Sequence, residues 1–434
     1  MQFIAIGGAV GSGLFLGSAT GIQMAGPAIL VTYLACGLII FLVARALGEM
    51  ALERPVRGSF STYAEDYIGG WAGFMCGWSY WLMWVLACCS DLTALGIFTR
   101  YWIPGVPLWA PGLIAFAVLA AVNVVTVRLF GEIEFWLSLT KVATILFLIA
   151  SGLFVAYLSA GGAGARELVA DGGFAPRGWA AAMVAFPIAI FAFGGVELIG
   201  LTAAEAEDVE RSLPRAVNGV ALRVLIFYVG SLAIVMMLLP WRSIGLDQSP
   251  FVLAFGRIGI PGAKSIVSLV VITASLSACN SAIFATGRVL AALAEHGHAP
   301  AGLGLIDKRG QPRRAILASV VIAASVAAFG WLTSGSFFNT LISATAILLL
   351  FTWAMIVAAH LGFRRQFGRG RFAMPFAPAS NVLVLLVLFG VALMMMATPG
   401  SRPMMICALI WFALLAVCFR LTGHRRRSGT AALQ

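Results

Sequence analysis

Runs of apolar residues long enough to cross a bilayer recur along the whole 434-residue chain, and they restrict its fold more than any other feature. A helix rises about 1.5 Å per residue, so about 20 residues span the roughly 30 Å of bilayer hydrocarbon. About twelve such runs occur, centred near residues 15, 38, 85, 120, 146, 190, 228, 278, 322, 349, 389 and 411. Backbone N–H and C=O groups find no water in hydrocarbon, so each run is expected as a helix that satisfies its own backbone. At 61% hydrophobic and 10% charged residues, a soluble globular enzyme is excluded. The fold class expected is therefore all-α integral membrane, with one transmembrane domain over residues 1–424 and a basic tail over 425–434.

The net charge of +11 would suit nucleic acid if it were concentrated on one surface, but it is spread over alternate connections. Arg54, Arg57, Arg211, Arg215, Arg313, Arg314, Arg364, Arg365, Arg369, Arg371 and Arg425 to Arg427 all lie on one set of loops. This is the positive-inside pattern, and it places both termini in the cytoplasm with no nucleic-acid partner. No cleavable signal is visible, because the first apolar run lacks a basic segment and continues into a spanning pattern. That run starts at Met1 with no hydrophilic leader, so the expectation is of a chain that begins late. All seven cysteines fall within the runs as small packing residues, and the histidines, His296, His298, His360 and His424, fall at loops or helix ends. None has metal-ligand spacing, and no metal or cofactor is expected.

Two runs are interrupted by glycine. GGAVGSGLFLG (Gly7 to Gly17) holds five glycines in the first run, and FAFGGVELIG (Phe191 to Gly200) breaks the sixth. Each stands at the head of a block of five spans, and an odd number inverts the second block relative to the first. The repeats expected are residues 1–158 (spans 1–5) and 179–361 (spans 6–10), with spans 11 and 12 over 381–421. A break frees backbone groups at a depth where leaving them unpaired costs several kcal/mol, and a ligand is a suitable partner. Amides near Gly11, Ser12 and Gly13, at the positive end of a half-helix, suit a carboxylate. Carbonyls near Ala9, Phe191, Ala192 and Gly194 suit an ammonium, so the two ends together match a zwitterionic α-amino acid. Gly7, Gly8 and Gly17 are expected to allow close helix packing instead.

Ionisable residues inside spans are costly and are functional candidates by default. Lys141 lies about eight residues, roughly 12 Å, into the fifth span, where it suits a proton-coupling group or a lysine snorkelling to the surface. Glu197, two residues past the second break, suits either a cap on the new half-helix or a proton relay. Asp91 suits the substrate path or an interhelical hydrogen bond. Asn280 and Ser281 offer polar edges to a substrate, or polar contacts between helices.

Through GGAVGSGLFLGSATGIQMAGPA, GSFSTYAEDYIG, FGEIEFWLSLTKV, FAFGGVELIGLTAAEAEDVERSLPRAV and NSAIFATGRVLAALAEHGHAP, the sequence resembles the amino acid permeases of the APC superfamily, in the bacterial amino acid transporter branch. The resemblance implies a LeuT-type 5+5 inverted repeat with two additional helices in the inner membrane. It also implies that Gly11, Ser12 and Gly13 bind the substrate carboxylate, that carbonyls at Phe191 and Gly194 bind its amino group, and that the Phe191 ring gates the pocket. Lys141 matches a lysine that takes the place of sodium in proton-coupled members. Asp91 is similar to the residue of alanine, glycine, D-serine and asparagine permeases, whereas GGVELIGLTAAEAE is more like proline and aromatic permeases. The function expected is import of a neutral L- or D-amino acid by proton symport and alternating access. An amino acid exchanger of the same fold is the alternative, and a membrane amino acid sensor a more distant one. The partners expected are the amino acid, protons and the lipid bilayer, with the oligomeric state left open.

Overall fold

The computed structural model describes residues 11–56, 58–125, 127–158, 163–203, 208–245, 249–260, 262–308, 310–333 and 337–431. Every regular element among them is a helix. Nine helical stretches among the described residues are long and apolar enough to cross a membrane: Gly13–Glu53, Gly70–Thr99, Gly131–Ala156, Gly178–Ala203, Val209–Leu238, Lys264–Glu295, Phe338–Phe367, Ala379–Ala397 and Arg402–Leu421. Gly13–Glu53 carries the first two expected runs, separated by a bend at Gly26. The Gly26 φ of +62° favours glycine, and a Cβ there would come within 2.6 Å of the Pro176 ring. The runs near 120 and 322 form the Trp109–Val125 and Arg313–Thr333 helices.

Burial sorts these helices into an inner and an outer set. In the apolar window of Gly178–Ala203, 83% of residues are buried, against 17% for Arg402–Leu421. The inner Gly70–Thr99 helix packs along the Ala263–Glu295 helix and also against the Phe337–Phe367 helix. Outward faces carry Leu38, Ile114, Trp136, Phe154, Leu386, Phe389 and Leu414, all exposed, which is the apolar surface a bilayer requires. Val127–Leu158 shows both environments. Glu134, Ser138, Lys141, Ile145 and Leu148 recur at helical spacing and are buried, while Phe135, Trp136, Phe147 and Phe154 face outward.

In the connection between the spans near residues 228 and 278, Pro250–Arg257 is a helix whose Phe251 and Phe255 are buried. Proline fits the first turn of a helix, and the Phe251 ring packs 5.0 Å from Phe15, so this segment covers the first break. His360, expected at a helix end, is fully buried. Its Nε2 lies 2.9 Å from Oε2 of Glu49, itself fully buried, and Asn381 Nδ2 lies 2.8 Å from its Nδ1. Glu49 further accepts from the Gly370 amide at 2.8 Å and the Met374 amide at 2.7 Å, and Arg364 Nε stands 2.9 Å from its Oε1. A buried carboxylate is tolerated when its lone pairs are satisfied in this way. The cluster joins Ile29–Glu53, Phe337–Phe367 and the connection that follows.

Candidate functional site

The first break begins where the chain enters a π-helical turn at Gly13–Gly17, which runs on into the Ser18–Ala25 helix. The amide of Ser12 donates to Asp91 Oδ1 at 3.0 Å, across from the Gly70–Thr99 helix. A carboxylate thus meets an amide at the start of this half-helix, and here it belongs to the protein's own chain. Both glycines are there for clearance. A Cβ on Gly11 would stand 3.2 Å from Asp91 Oδ1 and from the Ala278 Cβ. A Cβ on Gly13 would stand 2.8 Å from the Phe191 ring and 3.0 Å from the Ala192 Cα, closer than carbon atoms approach. Gly17 departs from expectation, since a Cβ there would make an ordinary 3.6 Å contact with Ile342 and no close packing depends on its absence. Ala9, Gly7 and Gly8 lie outside the described residues.

The second break follows the Phe186–Phe193 helix. Gly195 adopts φ +101°, open to glycine and strained for other residues, and a new helix starts at Leu198. Glu197 folds back, its Oε1 accepting from the Gly195 amide at 3.0 Å and from the Tyr80 hydroxyl at 3.2 Å, while Trp353 Nε1 donates to Oε2 at 3.4 Å. The carbonyls are less open than the sequence suggests. That of Ala192 accepts from the Tyr228 hydroxyl at 2.9 Å, and that of Phe191 accepts from the Gly194 amide at 3.1 Å. Each retains a second lone pair.

The two breaks face each other across one cavity of about 380 Å³, lined by Gly11, Ser12, Gly13, Met83, Trp84, Ala87, Asp91, Phe191, Ala192, Gly194, Ala278 and Thr345. Its walls are mostly apolar with few polar groups, the composition of a small-molecule site. Seven sequence-predicted residues, Gly11, Ser12, Gly13, Asp91, Phe191, Ala192 and Gly194, therefore come together. Asn280 and Ser281 do not join them. Asn280 donates to Glu134 Oε2 at 2.9 Å and accepts from Asn123 at 2.8 Å, which makes it part of an interhelical network, and Ser281 is buried away from the lining. Asn280, two residues past Ala278, points to the opposite face of the Ala263–Glu295 helix, whereas Ser281, three residues past it, stays on the same side with a buried Oγ that has no hydrogen-bond partner among the described residues.

Lys141 and Glu197 stand behind the wall. Lys141 is fully buried, within electrostatic reach of Asp91 and of Glu134. Glu134 is fully buried too, and accepts from Asn280, from Ser138 at 3.3 Å and from Ser277. Sequence reasoning missed Glu134 because it lies near the loop end of its run. Its signal was the seven-residue spacing to Lys141, two turns of helix that put both on one face. It also missed Thr345, whose buried Oγ1 has no hydrogen-bond partner among the described residues while the residue lines the cavity. Trp84 and Met83, which supply aromatic and sulfur surface, read as ordinary span residues.

The chain is 43% identical over 423 residues to the aromatic amino acid transport protein AroP of Salmonella typhimurium, covering 96% of this chain and 93% of that protein. It is 41% identical over 423 residues to AroP of Escherichia coli K12, with the same coverage of 96% and 93%. It is 39% identical over 441 residues to the uncharacterized amino acid permease YtnA of Bacillus subtilis, covering 100% of this chain and 95% of that one. Among solved structures, MhsT in complex with L-phenylalanine matches with a TM-score of 0.63 at 14% identity, over 91% of this chain and 98% of that one, a likeness of fold. The sequence profile of the amino acid permease family spans residues 1–426, and with two glycine-broken helices facing one cavity the chain belongs to that family: it is a multi-pass membrane transporter and not an enzyme.

Proposed function

We propose that this permease imports a neutral aromatic amino acid by proton symport with alternating access. The observation that carries the reading is the single cavity shared by both helix breaks, with Asp91 in its wall and Lys141 buried behind it. The substrate side chain lies against Trp84, Met83 and Phe191, a surface suited to an aromatic ring, and the naming of the AroP relatives supports this substrate class. Its carboxylate takes the amides around Ser12, its ammonium the second lone pairs of the Phe191 and Ala192 carbonyls, and Thr345 Oγ1 supplies a further polar contact. Apart from Asp91 the lining carries no charged residue, which favours a neutral side chain.

Coupling follows from the Ser12 amide, which Asp91 occupies. A proton taken up by the Asp91–Lys141 pair from outside neutralises Asp91, which releases the amide to the substrate carboxylate. After inward opening the proton and substrate leave, and Asp91 accepts from the amide again. One proton crossing 100 mV supplies about 2.3 kcal/mol, enough for roughly fiftyfold accumulation. Glu197, with three donors, acts as the cap of the second half-helix.

The architecture proposed with this cycle is the LeuT-type inverted repeat of residues 1–158 and 179–361, followed by two helices, about twelve spans in all. Both termini are cytoplasmic and the location is the inner membrane, a reading supported by the arginines on the inward loops. The test is uptake of radiolabelled phenylalanine, and of alanine, proline and D-serine, into proteoliposomes with and without an inward proton gradient. Gradient-driven phenylalanine accumulation that disappears in Lys141→Ala while counterflow exchange persists supports the reading. Equal uptake without a gradient makes the protein an exchanger and ends the symport proposal.

A further inference from the structure

A second cleft, remote from the transport cavity, opens at the arginine-rich end of the bundle. It holds about 450 Å³ between the end of the Phe337–Phe367 helix and the start of Ala379–Ala397, lined by Leu361, Arg364, Arg365, Gly368, Arg369, Ala377, Pro378 and Val382. Its charge is not balanced internally. Arg364 is paired with Glu49, whereas Arg365 and Arg369 are exposed and form no ion pair among the described residues. The other walls are apolar, and the surface continues along Ala379–Ala397 as Val382, Leu386 and Phe389, spaced i, i+4 and i+7 on one face and 50%, 63% and 63% exposed. Phe367 and Phe376, both strongly exposed, flank the same end, as aromatic side chains do at membrane interfaces.

A soluble anion would use the two arginines but not the apolar strip, and a neutral lipid the strip but not the arginines. Only an anionic glycerophospholipid uses both, its phosphate between the guanidiniums and an acyl chain along the strip. We propose that this cleft is a binding site for one anionic phospholipid of the inner leaflet, with Arg365 and Arg369 as its headgroup ligands. Because Arg364 forms the same wall and holds Glu49, the bound lipid abuts the joint between Ile29–Glu53 and Phe337–Phe367.

The test is native mass spectrometry of the purified full chain in mixed micelles of dioleoylphosphatidylglycerol and dioleoylphosphatidylcholine. The wild-type protein is expected to retain one phosphatidylglycerol, favoured over phosphatidylcholine by roughly thirtyfold if each arginine contributes about fivefold or more. Arg365→Gln with Arg369→Gln should remove that preference, and the paired Lys substitutions should restore most of it. Arg257→Gln, far along the chain and outside the cleft, should leave it unchanged. Retention of both lipids alike, or an unchanged preference in the double Gln variant, overturns the assignment. Displacement of phosphatidylglycerol by excess inorganic phosphate also overturns it, leaving a site for free anions.

Discussion

The two helix breaks solve one problem in opposite ways. At the second, the Gly195 amide is capped from within its own segment by Glu197, two residues on, and Tyr80 and Trp353 hold that carboxylate in place. At the first, the Ser12 amide is answered from 79 residues away by Asp91, on another helix, in the wall of the cavity and near a buried lysine. A local cap held by three donors is fixed structure. A remote cap beside a second titratable group can be exchanged for a ligand's carboxylate. In the proposed cycle the first break is therefore where binding and coupling meet, while the second offers the substrate ammonium the fixed carbonyls of Phe191 and Ala192.

Substitutions can separate these roles. The largest effect is expected for Gly13→Ala, whose added carbon meets the Phe191 ring at 2.8 Å and the Ala192 backbone at 3.0 Å. Overpacking of this kind costs about 1–3 kcal/mol, so phenylalanine binding to purified protein should weaken about 5- to 150-fold, and unchanged affinity would remove the first break from the site. Next comes Asp91→Asn, which keeps an oxygen for the Ser12 amide but no exchangeable charge. Proteoliposome accumulation should fall from roughly fiftyfold at 100 mV to equilibrium while binding persists, and retained accumulation would break the distinction between the two caps.

Glu197→Gln replaces one acceptor oxygen with a donor that faces other donors, leaving at least one of them unpaired. Stability should drop by about 1–3 kcal/mol, measured by thermal unfolding in detergent, with proton dependence intact in the protein that remains folded. Loss of proton dependence alone would give Glu197 a relay role instead. The smallest effect is expected for Gly17→Ala, with stability within about 0.5 kcal/mol and transport unaltered, because the added carbon finds ordinary contact with Ile342 at 3.6 Å.

Sequence and structure part company at identifiable points. Apolar runs define the helices because hydrocarbon leaves the backbone few alternatives, and isolated charges such as Asp91, Lys141 and Glu197 stand out because they are expensive there. Thr345 has no such signal, since a threonine in a spanning helix can satisfy its hydroxyl locally and only the fold turns this one toward the cavity. Asn280 misled for a related reason. Its amide was visible, but its partners, Glu134 and Asn123, lie 146 and 157 residues away. Gly13 and Gly17 look alike in a glycine-rich run, and the approach of Phe191 and Ala192 to one and not the other depends on how the sixth run crosses the first.

The Glu49 cluster bears on which parts of the protein can swing. Drawing Ile29–Glu53 away from Phe337–Phe367 would strip a fully buried carboxylate of His360 and Arg364, and would also detach the Gly370 and Met374 amides. Breaking a buried pair in this way costs about 3–5 kcal/mol, more than the roughly 2.3 kcal/mol that one proton supplies at 100 mV. In the proposed proton-driven cycle these two helices are therefore expected to move together, with the hinges where glycines and π-helical turns interrupt the regular backbone.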